Sequence, residues 1–330
     1  MCGSQIVLCD MPIRFDTYKG CSHACKYCFV SRNSDLTKIE KDNCVQSLIN
    51  FINGKRSQVV NWCDWKIPLH WGGMSDPFQP AERKHKISLE CLKVFAETQY
   101  PFIVSTKGKL LATPEYLEVL RKCNAVVQIS MVCDKYDIIE KGCPTFEQRL
   151  EMVRKIAPNC KRVVVRAQPY MPEIFEDLCR NIPRLKEAGA HGITIEGMKF
   201  TKKKKGLEKV GADYCYPIKV LEPQYKHIKR LCHENGMAFY CAENRLRTLG
   251  DHMTCCGVAG LEGFKGNEYN LCHIYNGKKP NPTERMEQKG TAYAFKSVSQ
   301  TAGESQRLKN LSFTDYTAEM LKKGKYRDIF

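Results

Sequence analysis

The chain has no uninterrupted run of about 18 apolar residues, the length a membrane-spanning helix requires, so no spanning helix and no membrane partner is expected. Its opening stretch, Met1–Cys9, lacks the basic start and longer apolar core of a secretion signal. With 19 cysteines, that absence predicts a reducing cytoplasmic setting, in which thiols bind metal or stay free rather than form a disulfide framework. No GxGxxG follows a predicted strand, which argues against a dinucleotide crevice, and no zinc finger, RNA-binding signature or phosphate-binding glycine loop is present. Acidic residues are in deficit, 36 Asp and Glu against 52 Lys and Arg, and the net charge of +16 suits an anionic partner such as nucleic acid. That charge is spread thinly except at Lys202–Lys205, which reads either as a solvated loop or as a phosphate-contacting one.

What the chain does have is Cys21-Ser22-His23-Ala24-Cys25-Lys26-Tyr27-Cys28-Phe29. Zinc sites normally draw four ligands in two spaced pairs, and no second pair lies nearby. His23 sits inside the loop, where closing round one tetrahedral ion would strain it. A four-iron cluster takes soft thiolates, and a compact loop that supplies three of them leaves one iron open to another ligand. Cys21, Cys25 and Cys28 are therefore the expected ligands of a [4Fe-4S] cluster.

Around this loop the sequence alternates strand and helix signals. Strands are expected at Ile13–Tyr18, Trp65–Trp71, Pro101–Thr106, Ala125–Met131, Arg162–Arg166, Gly192–Glu196 and Met237–Cys241. Helices are expected over 36–52, 84–98, 114–122 with Thr113 as N-cap, 145–156, 173–188 and 223–235. Such alternation predicts an α/β fold with a parallel sheet and right-handed crossovers, here a partial (β/α)6-type TIM barrel. Chemistry then belongs at the C-terminal ends of the strands. Residues 1–241 form the expected barrel, and 242–330, where the alternation fails apart from a helix near 316–323, form an expected cap over its mouth rather than an independent domain.

Several predicted strand ends carry further motifs. Gly72-Gly73-Met74 is followed by Ser75-Asp76-Pro77-Phe78-Gln79-Pro80-Ala81-Glu82; later come Ser105-Thr106-Lys107, Glu140 through Arg149-Leu150, and Arg166 with Pro169 and Pro172. With the cysteine loop they resemble, in order, the motifs of the radical S-adenosylmethionine (SAM) superfamily, and within it the spore photoproduct lyase-like group. The resemblance runs from about Asp10 to Gly197. Met74 stands where the family carries an acidic residue, the proline after Glu140 is missing, and residues 198–330 have no evident counterpart.

The resemblance implies that the open iron is chelated by SAM, which is cleaved reductively to a 5′-deoxyadenosyl radical that attacks substrate. It implies SAM contacts from Gly72, Gly73, Ser75, Lys107, Ser130, Arg166 and Tyr27, and a one-electron reductant of the flavodoxin or ferredoxin type. Asp76, Glu196 and Glu243, at strand ends, would face substrate, since carboxylates suit a guanine-like edge or an amine. Cys255 and Cys256 are candidate hydrogen donors to a product radical; with Cys241 and Cys272 they could instead hold a second metal or be plain buried thiols. The expected activity is that of a lyase on a modified nucleobase, queuine first, releasing 7-aminomethyl-7-deazaguanine for queuosine salvage. The alternatives are repair of thymine photoproducts in DNA and, from another class, a non-catalytic iron–sulfur redox protein.

Overall fold

The computed structural model describes residues 7–32, 35–41, 44–54, 66–294 and 301–330. In chain order the elements are β1 (Arg14–Phe15), β2 (Tyr18–Lys19), β3 (Glu40–Lys41), α1 (Cys44–Ile52), β4 (Leu69–Trp71), α2 (Glu82–His85), α3 (Ile87–Thr98), β5 (Phe102–Thr106), α4 (Pro114–Leu120), β6 (Ala125–Ser130), α5 (Phe146–Ile156), β7 (Arg162–Tyr170), α6 (Phe175–Glu187) and β8 (Gly192–Gly197). They continue as β9 (Lys199–Phe200), β10 (Glu208–Val210), β11 (Asp213–Cys215), α7 (Ile218–Glu234), β12 (Ala238–Cys241), α8 (Leu271–Tyr275), α9 (Glu284–Glu287), α10 (Thr291–Ala294), α11 (Ala302–Leu308) and α12 (Phe313–Lys322). Seven strands make one all-parallel sheet in the order β1-β4-β5-β6-β7-β8-β12. This is the expected partial barrel; among the described residues, β1 and β12 are its unpaired edges.

Period-2 alternation assigns the two faces. Phe102, Val104, Ala125, Val127, Val163, Val165, Ile193, Ile195 and Phe239 point outward and pack with the helices in one large apolar core. Its densest part is aromatic: Trp71 lies 5.5 Å from both Phe15 and Phe78, and Phe95 stacks on Phe102 at 4.1 Å. The inward face is divided along the barrel axis. Near the N-terminal ends of the strands, Ile103, Val126, Val164 and Tyr240 pack against Met11, Cys256, Val258 and Phe264. Nearer the C-terminal ends the inward residues are polar: His70, Ser105, Gln128, Ser130, Arg166, Gln168, Thr194 and Glu196.

Several elements differ from expectation, each for a physical reason. The helix expected over 36–52 begins only at Cys44, because Glu40–Lys41 pairs antiparallel with Tyr18–Lys19 beneath the cysteine loop. The strand expected at Trp65–Trp71 is short, Leu69–Trp71, and Trp65 lies outside the described residues. Lys86, at φ +50°, splits the expected 84–98 helix into two. Thr113 stands at the N-cap of α4, but its hydroxyl donates to Leu110 O at 2.7 Å instead of capping. The helix expected from Pro223 starts at Ile218 and keeps Pro223 inside it, so that proline marks no boundary. The three-stranded antiparallel sheet β10-β11-β9 had no counterpart in the sequence reading. Within the stretch expected as a cap, Cys256, Val258 and Phe264 pack on the apolar inward residues Ile103, Val126, Val164 and Tyr240.

Candidate functional site

The cysteine loop leaves β2 through Gly20, whose φ of +74° and whose missing Cβ (a methyl there would sit 2.3 Å from Lys38 O) both demand glycine. Gln79 then pins the loop from below, accepting from Ser22 N at 2.9 Å and donating to Gly20 O at 3.1 Å. His23 bonds Gly142 O at 2.8 Å through Nδ1 and faces Asp76 at 3.3 Å through Nε2. Cys21, Cys25 and Cys28 are all half-buried free thiols. Among the described residues, no three His, Cys, Asp or Glu side chains are gathered as for a single metal ion. The donor set nevertheless fits a cluster: three accessible soft thiols on one tight loop, with Cys25 lowered to about 6 by the hydrogen bond from Cys143 and the nearby Lys107 ammonium.

Beneath the loop is a dry ionic hub. Glu140, 2% exposed, meets Arg149 Nη1 at 2.6 Å, Lys107 Nζ at 3.8 Å and the hydroxyl of Tyr27. Arg149, with no exposed side-chain surface, also donates to Ser130 O at 2.9 Å and reaches Asp137 at 3.3 Å. Tyr27 packs edge-on against Tyr136, with the Lys107 ammonium 5.7 Å from its ring centre. Tyr27 and Lys107 are thus committed to the hub, and burial beside Glu140 pushes the Tyr27 hydroxyl far up.

Gly72 and Gly73 follow β4. Gly72 adopts φ +84°, and a Cβ there would lie 2.4 Å from Ser105 O; at Gly73 it would meet only the Arg14 side chain, at 3.3 Å. An acid that the motif itself lacks at Met74 lies close to this turn in space. Asp16 Oδ1 accepts from Met74 N at 2.9 Å and Ser75 N at 3.1 Å, while its buried Oδ2 has no hydrogen-bond partner among the described residues. An orphaned carboxylate oxygen beside a glycine turn fits a bound ammonium such as the amino group of SAM. In the sequence Asp16 is only a polar residue inside the alternating stretch Ile13–Tyr18, which is too weak a signal to single out.

Ser75 and Asp76 are not available as expected. The Ser75 hydroxyl donates to Tyr18 O at 2.7 Å, and Asp76 accepts from Thr106 Oγ1 at 2.7 Å, Lys107 N at 2.6 Å and Phe78 N at 2.9 Å. His23 and these donors overcome burial and hold the Asp76 carboxyl down at about 2, so it stitches loops together as a permanent anion. Ser130 ends β6 with no hydrogen bond from its hydroxyl among the described residues. Across the barrel interior runs a polar chain: Arg14 Nη1 to His70 Nδ1 at 2.9 Å, His70 Nε2 to Ser105 at 2.9 Å, and Ser105 to Gln128 at 2.8 Å. Arg166 Nη1 donates to Gln128 at 3.2 Å and its Nε to Gln168, which in turn donates to Glu196. Glu196 pairs with Lys199 at 2.5 Å, and Glu243 with Arg245 at 2.8 Å. Burial and the neighbouring Arg14 and Arg166 push His70 well below its usual value, so it is neutral in this chain of bonds.

The C-terminal cysteines lie elsewhere. Cys9, Cys255, Cys256 and Cys272 line a water-sized cavity of about 20 Å³ with Asp10 and Arg247. Cys255 is lowered to about 5 by the hydrogen bond from Cys256 and by Arg247, while Cys256 keeps its proton. Cys256 also packs on Val164 and Tyr240, below Gln128, which donates to its carbonyl. The Cys241 thiol donates to Glu243 O at 3.6 Å. Cys255 thus lies beside Arg247, just past the C-terminal end of β12, and Cys256 lies directly under the polar layer at Gln128.

Asp16 supplies a test. Burial raises its carboxyl from 3.8 to about 6, against the pull of two backbone N–H groups and Arg14. The folded chain then binds more protons than the unfolded chain between those values, so this group's contribution to stability falls as pH rises from about 4 to about 6. Asp16→Asn should abolish that slope and stabilise the protein at pH 7 by about 2–3 kcal/mol. Urea unfolding at pH 4 and pH 7 checks it; equal pH dependence in both proteins would refute the assignment.

No protein-family model matches the chain. Uncharacterized proteins of Mycobacterium tuberculosis and Mycobacterium bovis are 25% identical over 204 residues, 57% of this chain and 59% of theirs. The chain thus spans about three-fifths of the length of the curated relatives it matches. Among solved structures, spore photoproduct lyase complexed with dinucleoside spore photoproduct superposes with a TM-score of 0.54 at 17% identity, over 68% of this chain and 75% of that one. A spore photoproduct lyase variant with bound AdoMet and the same dinucleoside gives 0.52 at 16% identity, over 68% and 74%. With the parallel seven-stranded partial barrel and the cysteine loop following its first strands, the chain has the spore photoproduct lyase-like fold of the radical SAM enzymes.

Proposed function

We propose that this protein is a radical SAM lyase acting on a modified nucleobase, with queuine as its substrate. The observation that carries the reading is the cysteine loop clamped by Gln79, His23 and the Glu140 hub beside a barrel whose inner face is polar toward its C-terminal end. Cys21, Cys25 and Cys28 would hold a [4Fe-4S] cluster, and Gly72, Gly73 and Asp16 would meet SAM. Bound together, these groups supply a one-electron cleavage of SAM that yields a hydrogen-abstracting carbon radical. The chain's own part is positioning and exclusion of water. Glu196, at the C-terminal end of β8, would offer the substrate a carboxylate acceptor, which suits a deazaguanine edge, and Arg166 on the neighbouring strand would face SAM. Anaerobic turnover of the reconstituted protein with SAM, reductant and queuine should give 5′-deoxyadenosine together with 7-aminomethyl-7-deazaguanine. Queuine left intact while SAM is consumed would refute the substrate, and no 5′-deoxyadenosine under any condition would leave an iron–sulfur redox protein.

A second reading, lysis of thymine photoproducts in DNA, is favoured by one observation. The sheet β9-β11-β10 follows the C-terminal end of β8 and is tied to the end of β12 by Arg245, which pairs with Glu208 at 2.7 Å. Its turn carries Lys202–Lys205, all exposed; Lys204 lies over the Phe200 ring, and no acid pairs with the run among the described residues. If DNA is the substrate, replacing these four lysines by glutamine should weaken oligonucleotide binding and flatten the log–log salt slope by about 3–4. An unchanged slope would make the run a solvated turn.

A further inference from the structure

Cys143 and Cys25 are 118 residues apart in sequence, yet their sulfurs lie 3.6 Å apart. Contacts on both sides of Cys25 set this approach. His23 bonds Gly142 O at 2.8 Å, and Lys26 N donates to Ile139 O at 3.0 Å. Gly142 allows the two loops to meet, since a Cβ there would lie 2.5 Å from His23 O and 2.6 Å from Ser22 O. Cys143 N in turn donates to Glu140 O at 2.8 Å, so the thiol is carried on the same turn as the ionic hub.

We propose that Cys143 is a positioning residue for the iron–sulfur group: its thiol donates a hydrogen bond to the Cys25 sulfur and, together with the Lys107 ammonium, makes one-electron reduction of that group easier. The inference rests on Cys21, Cys25 and Cys28 being the cluster ligands. A Cys25 sulfur bound to iron carries no proton, so the single proton available at this contact belongs to Cys143. Lys107 is largely buried, held by Glu140 at 3.8 Å and lying 5.7 Å from the ring centre of Tyr27, which sits between Cys25 and Cys28 on the cysteine loop. Reduction adds negative charge that spreads onto the ligand sulfurs. A donor aimed at one of them and a fixed cation nearby stabilise the reduced form more than the oxidised one. Cys143 need not touch SAM or substrate to have this effect.

The test compares reconstituted wild-type protein with Cys143→Ala and Cys143→Ser at matched iron and sulfide content. The midpoint potential is read by redox titration followed by electron paramagnetic resonance. Exchangeable protons near the reduced cluster are read by electron–nuclear double resonance in H2O and D2O. Cys143→Ala should shift the potential to more negative values and lose one exchangeable proton coupling, and Cys143→Ser, which keeps a donor, should recover part of the shift. Unchanged potential and coupling in Cys143→Ala would overturn the proposal. Should Cys143→Ala fail to take up a cluster, the serine variant and the proton coupling of the wild type decide it. Wild-type protein that assembles no iron–sulfur signal would instead sink the ligand assignment, and this inference with it.

Discussion

Arg149→Leu should destabilise the folded protein by about 3–5 kcal/mol, a large share of the stability of a typical domain. Arg149 is fully enclosed, and its partner Glu140 is 2% exposed. The contact is close, 2.6 Å, but Glu140 Oε2 has no well-aligned donor, so the attraction is mainly charge against charge in a dry site. Removing the guanidinium leaves the carboxylate with Lys107 at 3.8 Å and the Tyr27 hydroxyl, too little to offset its desolvation. It also frees Ser130 O at the end of β6. Because the penalty belongs to the abandoned charge, Arg149→Leu/Glu140→Leu should recover most of the loss. Denaturant unfolding of the two single variants and the double variant closes the cycle. A loss below about 1 kcal/mol for Arg149→Leu would mean that water reaches the hub.

Gly72→Ala should cost about 2–5 kcal/mol and Gly73→Ala less than about 1 kcal/mol, although the two residues are neighbours in one motif. At Gly72 the φ of +84° disfavours any side chain, and the new methyl would meet the Ser105 carbonyl at 2.4 Å and the Pro77 ring at 3.0 Å, both rigid. At Gly73 the methyl meets the Arg14 side chain at 3.3 Å, which can move aside. Thermal unfolding should rank the variants in that order and so, on the function proposed above, should equilibrium SAM binding, since the Gly72 turn carries the Met74 and Ser75 amides that hold Asp16. Equal losses at both positions would show that the turn is not set by steric fit.

The motif Glu140 to Arg149-Leu150 shows how far the residues alone reach. Its two ends were visible in the sequence, but their contact, and its role under the cysteine loop, were not. Ser75 and Asp76 show the reverse. Their place in a motif suggested ligands, yet their polar atoms are consumed by Tyr18 O, Thr106 and Lys107 N. Asp16 had no motif at all and emerged only because β1 and β4 are neighbours, which sets its carboxylate against the Gly72–Ser75 turn.

What the sequence by itself determined is the parallel α/β alternation, the three-thiol loop and the glycine turn after β4. These depend on local periodicity, ligand chemistry and backbone freedom, which act over a few residues. Only the tertiary structure decided which polar groups remain free for a ligand, that Cys143 meets Cys25, and that Cys255 and Cys256 gather with Cys9, Cys272 and Arg247 around one small cavity. Those outcomes depend on which loops the barrel's strand order brings together, and on how burial forces each polar atom either to find a partner within the protein or to wait for one.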